Sequence, residues 1–144
     1  EKDGDFKLEG STDERTLLHA KLIRDADKLE NCRVKLEEAM ETLLGVDEKG
    51  AGEGVIAPKV WASCMAKESV LSSDRFSKVD YLVSYIAQYY DINFPETYEI
   101  MREHDYVKKI ADRVPYALPE TQEKMDILIA EMEKYMDERI SNGR

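Results

Sequence analysis

A chain of 144 residues that is 42% hydrophobic and 36% charged has the apolar content for one globular core, which excludes an intrinsically disordered polymer or a collagen-like fibre. Its 31 acidic residues outweigh 21 basic ones, giving a net charge of −10 and excluding a surface built for polymeric DNA or RNA, because phosphate contacts need clustered Lys and Arg. No run approaches the roughly 20 apolar residues of a membrane span, and Cys32 and Cys64 are too few for a disulfide framework, so the chain reads as a soluble, cytoplasmic protein with no membrane partner.

Residues 1–11 read as an arm or a short strand. Ser11-Thr12-Asp13-Glu14 has the pattern of a capping box and predicts a helix from near residue 12 to about Leu44, stopped by Gly45. Leu18, Leu22, Ala26, Leu29, Leu36 and Met40 share one face of it, which makes it the expected centre of the core. Residues 45–57 hold four of the seven glycines and several acids and are expected to be a flexible loop. Asp47, Glu48 and Glu53 lack the alternating spacing of a calcium loop, so a solvated linker is the preferred reading.

Pro58 suits the first turn of a helix through Trp61 and Met65. Ser73-Asp74 can cap another that carries Phe76, Val79, Leu82, Val83 and Ile86 to about Tyr90. Tyr81, Tyr85 and Tyr89 recur at i, i+4 spacing, a stripe expected to pack on a neighbouring helix with its hydroxyls at the edge. Pro95 opens a shorter helix through Tyr98 and Met101, and Tyr106 to Val114 forms another. Pro115 and Pro119 precede a last amphipathic helix of Met125, Leu128, Ile129, Met132 and Met136. No segment alternates with period two and no internal repeat occurs, so the fold class is all-α and residues 1–144 form a single helical domain.

The stretch Arg24-Asp25-Ala26-Asp27-Lys28-Leu29-Glu30-Asn31 sets carboxylates inside the first helix. At 100° per residue Arg24, Asp27 and Asn31 lie within about 60° of one another, a small polar face distinct from the leucine stripe. Periodicity places Asp25 near the edge of the main apolar stripe, the more buried of the two aspartates by angle, while Lys28 points elsewhere. Taken alone, the run reads more readily as exposed helix charges.

Ala-Asp-Lys-Leu-x-Asn resembles the last metal-ligand motif of the HD-domain phosphohydrolases, whose guanosine tetraphosphate hydrolase branch carries Ala-Asp-Arg-Leu-His-Asn. The segment Leu17 to Asn31 is similar to the "RDADKLD" helix of a group of bacterial HD proteins, and Tyr90-Asp91-Ile92-Asn93-Phe94 and Met101-Arg102-Glu103-His104-Asp105-Tyr106 resemble that group's later helices. The resemblance implies an HD-domain-like helical bundle, makes Asp27 a metal ligand and leaves Asp25 a structural role in pairing or helix-end hydrogen bonding. It implies site roles for Arg24 and Lys28 and a divalent metal ion such as Mn, Mg or Fe. The family's His and His-Asp ligands lie upstream of this helix, where the chain has sixteen residues and no histidine. The expectation is therefore the C-terminal portion of an HD-like domain, without its N-terminal helices, that meets the remaining segment, a second chain or a homo-oligomeric partner.

His104-Asp105 reproduces the family's dipeptide but follows Asp27 by nearly eighty residues and matches a later, non-catalytic helix. His19 is about 12 Å along the helix from Asp27, too far to share its metal. Hydrolysis of a small phosphate ester or nucleotide needs charge neutralisation and a water made nucleophilic near neutral pH, which a metal supplies. Arg24 could touch the phosphate or orient Asp27, and Asn31 could add a supporting hydrogen bond. The alternatives are an HD-like ligand-binding or regulatory module without catalytic metal, and a plain helical interaction protein.

Overall fold

The computed structural model describes residues 13–143, and these fold into eight α-helices joined by short turns, with no strand among them. They are α1 (Glu14–Glu37), α2 (Met40–Leu44), α3 (Glu48–Ala51), α4 (Pro58–Met65), α5 (Lys78–Ala87), α6 (Pro95–His104), α7 (Tyr106–Asp112) and α8 (Pro119–Asn142). Short 3-10 turns occupy Ser72–Asp74 and Gln88–Tyr90. Among these residues no helix is long and apolar enough to cross a membrane.

The expected arm and Ser11 lie outside the described residues. Asp13 is the N-cap of α1, its carboxylate accepting from the Thr16 N–H at 2.8 Å. The single helix expected to Leu44 is two helices. Glu38 and Ala39 adopt extended backbone, and the Arg113 guanidinium donates to the carbonyls of Lys35 at 2.6 Å and Glu38 at 2.9 Å. No Gly or Pro marks this break, because the group that donates to the helix-end carbonyls is Arg113, the residue that follows α7. Gly45 does stop α2, with φ of +79°.

The loop expected to be flexible is built into the fold. Asp47 caps α3 by accepting from Gly50 N–H at 2.8 Å, and Ala51, Gly52, Ile56 and Ala57 are buried. A Cβ on Gly52 would lie 1.9 Å from the Pro115 carbonyl oxygen, so the glycine permits a backbone contact that Ala117 N–H seals by donating to Gly52 O at 3.0 Å.

The cap of α5 is Ser77, not Ser73-Asp74. Ser77 Oγ accepts from Asp80 N–H at 3.0 Å and Asp80 Oδ2 accepts from Ser77 N–H at 3.1 Å. Phe76 precedes the helix and is 81% exposed, whereas Val79, Leu82, Val83 and Ile86 are buried as their spacing implies. The helices begun at Pro58, Pro95 and near Pro119 form as read, and Met125, Leu128, Ile129, Met132 and Met136 all face the core.

That core is centred on α5, α6 and α8 rather than on α1. α6 packs along α8, α5 contacts α2, α3 and α4, and α1 lies against α6 and α7. The apolar insertion of α1 comes from its later half, through Cys32 and the partly buried Leu29 and Leu36, with Lys35 beside them, while in the earlier half Asp25 is the one buried residue. Leu18 and Leu22, expected in the core, are 48% and 50% exposed, and Leu17 and Ile23 beside them are also exposed.

Candidate functional site

Asp25 and Asp27 have opposite surroundings. Asp25 is 3% exposed, and both its oxygens are taken. Oδ1 accepts from Asn93 N–H at 2.9 Å and Asn93 Nδ2 at 3.0 Å; Oδ2 accepts from Phe94 N–H at 2.9 Å and Thr97 Oγ1 at 2.7 Å. Phe94, the N-cap residue of α6, has no capping side chain of its own. Asp25 thus caps α6 from α1, favourably placed at the positive end of the helix dipole. The helix-end hydrogen bonding expected of Asp25 is present, and it joins the stretch Arg24–Asn31 to the stretch Tyr90–Phe94.

Asp27, two residues on and on the opposite side of α1, is exposed, and among the described residues no hydrogen bond or ion pair engages its carboxylate. It lines an open depression of about 220 Å³ with Arg24, Lys28, Asn31 and Gln88. The expected grouping of Arg24, Asp27 and Asn31 is present, in a shallow surface rather than a deep cleft. Lys28, which the helical angle turned away, belongs to the same depression and reaches to 3.9 Å from Asp91 Oδ2.

The floor is polar and ordered. Asn31 Oδ1 accepts three donors, Tyr89 Oη at 2.8 Å, Gln88 Nε2 at 3.2 Å and Lys35 Nζ at 3.2 Å. Lys35 lies 4.4 Å from the centre of the Tyr85 ring and is only 9% exposed. No carboxylate among the described residues is within salt-bridge reach of it, and burial pulls its ammonium below the usual lysine range. Burial likewise raises the neighbouring Cys32 thiol to about 11, against the weaker lowering effects of Tyr89 and Lys35.

Gln88, Tyr89 and Lys35 were not among the expected site residues. Tyr89 belonged to the tyrosine stripe, whose expected packing is met: Tyr85 Oη donates to Leu43 O at 3.2 Å, and Tyr81 lies beneath Arg75. Gln88 and Tyr89 reach the site because α5 tightens into a 3-10 turn at Gln88–Tyr90, which periodicity does not signal.

The histidines stand apart from the depression. His19 is exposed beside Arg15 and Thr16, and His104 stacks on Tyr106 with ring centres 5.1 Å apart. Among the described residues no three His, Cys, Asp or Glu side chains group closely enough to hold a metal, so Asp27 offers one ligand where three or four are needed. Comparisons with protein-family models, with curated proteins and with solved structures each find no match.

Proposed function

We propose that the Asp27 depression is one wall of the active site of a metal-dependent phosphohydrolase of the HD type, acting on a small phosphate ester or nucleotide in the cytoplasm. The observation that carries this reading is the division between the two aspartates. Asp25 is consumed by the cap of α6, and Asp27 keeps both oxygens available among cationic and amide groups. A divalent ion, held by Asp27 together with ligands from outside the described residues, would neutralise phosphate oxygens and acidify a bound water.

The chain's own residues bind and orient. Arg24 and Lys28 bring two positive charges beside Asp27, with Lys28 also 3.9 Å from Asp91, and a metal on Asp27 would add the further charge that an anionic ligand needs. Asn31 donates from the floor. The exposed Leu17, Leu18, Leu22 and Ile23, on the turns of α1 before the depression, are assigned in this reading to contact with the part of an HD-like bundle that carries the other ligands.

A second reading, a phosphate-ligand module without catalytic metal, is favoured by the solitary carboxylate. Calorimetric titration separates the two. With Mn²⁺ the chain alone should bind weakly or not at all, the complete protein should bind stoichiometrically, and Asp27→Ala in the complete protein should abolish that binding. Tight binding by the chain alone, or binding in the complete protein that survives Asp27→Ala, places the metal elsewhere. Phosphate binding by a complete protein that takes up no metal selects the module.

A further inference from the structure

We propose that Lys35 is a positioning residue which, with Gln88 and Tyr89, fixes the Asn31 amide with its oxygen inward and its NH₂ group toward the depression, so that the site recognises a hydrogen-bond acceptor such as a phosphate oxygen. The inference rests on the ligand-binding reading of the depression and adds to it the device that sets its polarity.

An asparagine amide is symmetric in shape and either end can face a ligand. Here three donors converge on Oδ1 from two elements, α1 and the turn after α5. Turning the amide over would aim its NH₂ at an ammonium, an amide N–H and a phenol O–H; Gln88 would keep the Tyr85 carbonyl at 2.9 Å, but Lys35 would lose its hydrogen-bond acceptor in a largely buried place and Tyr89 would have to turn its hydroxyl. The orientation is therefore strongly determined. Nδ2 engages no protein group among the described residues, and Asn31 lines the depression, so its N–H donors are left for a ligand.

Lys35 is otherwise hard to account for. A lysine this deeply placed with no carboxylate partner is costly, and a methionine of similar length would pack against Tyr85 without that cost. What the ammonium supplies and methionine cannot is a donor that never accepts. Gln88 is itself held as a donor by the Tyr85 carbonyl at 2.9 Å, whereas Tyr89 can rotate its hydroxyl to accept, so Lys35 and Gln88 together dictate which end of Asn31 faces out and the loss of Lys35 weakens that preference.

The test is a ¹⁵N NMR titration of the chain with inorganic phosphate, following the Asn31 side-chain NH₂ pair in wild type, Lys35→Met and Lys35→Arg. In wild type the pair should shift on addition of phosphate. In Lys35→Met it should move or broaden before any ligand is added, and phosphate binding should weaken about fivefold, the equivalent of one lost hydrogen bond. Lys35→Arg, which keeps an obligate donor, should restore the wild-type resonance and affinity in part, an effect that bulk packing alone does not produce. An Asn31 pair unchanged by Lys35→Met overturns the proposal, as does a wild-type titration in which Arg24 and Lys28 respond and the Asn31 pair does not. If no residue of the depression responds to phosphate, the ligand-binding reading fails, and the amide clamp then stands or falls on the ligand-free comparison of wild type with Lys35→Met.

Discussion

Two neighbouring carboxylates on one turn of α1 show how little side-chain identity says without its surroundings. Asp25→Ala removes the acceptor for four donors, of which Thr97 is buried, and should cost about 3 kcal/mol or more. Asp25→Asn retains one acceptor oxygen and should lose less. Asp27→Ala removes an exposed group with no partner among the described residues and should change stability by less than about 0.5 kcal/mol, while weakening ligand or metal affinity. Urea unfolding of the three variants checks the order, and a comparable loss at Asp27 would show that the division drawn between them is wrong. The buried Asp80 follows the same logic as Asp25. Its Oδ1 accepts from Ala57 N–H at 2.8 Å, and its Oδ2 accepts from Phe76 N–H at 2.8 Å, so it ties the start of α4 to the start of α5.

At the level of whole elements, α1 is one helix with two environments. Asp25 and the residues after it meet α6 and α7, while the turns carrying Leu17, Leu18, Leu22 and Ile23 present those side chains to the surface. Helices owe most of their stability to packing of an apolar face, so the two halves should differ in local opening. Hydrogen exchange of the chain should protect the amides of residues 31–36 far more strongly than those of 17–23. Equal protection along the helix would mean that the first half is covered in solution. The segment 46–57 carries the opposite expectation. Gly52→Ala has to displace the Pro115 carbonyl, and should destabilise by more than the roughly 1 kcal/mol typical of a point substitution. A flexible linker would tolerate it, so a thermal melt of this variant distinguishes an ordered α3 region from a mobile one.

For the molecule as a whole, the buried ionisable groups set the alkaline limit of stability. Burial raises Cys32 to about 11, and Cys64 to about 12, the latter pushed further by Asp80. In the unfolded chain both thiols ionise near their ordinary value of 9.0, so below that pH both states are protonated and the groups do not oppose folding. Above it the unfolded state gains charge first, and stability falls by on the order of 1.4 kcal/mol per pH unit for each thiol, from about 9 to about 11 for Cys32 and from about 9 to about 12 for Cys64. Cys64→Ala should flatten the alkaline limb of a stability-against-pH curve measured by urea unfolding, at some cost in neutral stability from the cavity. An unchanged limb would show that the thiol is not the group responsible.

The sequence by itself determined the local grammar of this protein. Periodic apolar residues select helices throughout, prolines open α4, α6 and α8, and Gly45 ends α2, because each of these preferences acts within a few residues of backbone. The grouping of Arg24, Asp27 and Asn31 was legible for the same reason, since a helix fixes the angles between its own side chains. The structural part of Asp25 was legible only as an edge position. Its four donors are nearly seventy residues away, and nothing in the intervening sequence signals that α6 needs a cap from outside. Tertiary structure alone decided the rest. Arg113 breaks the first helix at Glu38, where no local breaker stands; Pro115 requires Gly52 and so orders a glycine-rich stretch that composition made a loop. The choice of which half of the leucine stripe is buried depends on where α6 and α7 lie, because periodicity identifies a face without identifying what covers it. Lys35 and Tyr89 reach Asn31 by the same long-range route, through contacts between side chains that are neighbours only once the chain has folded.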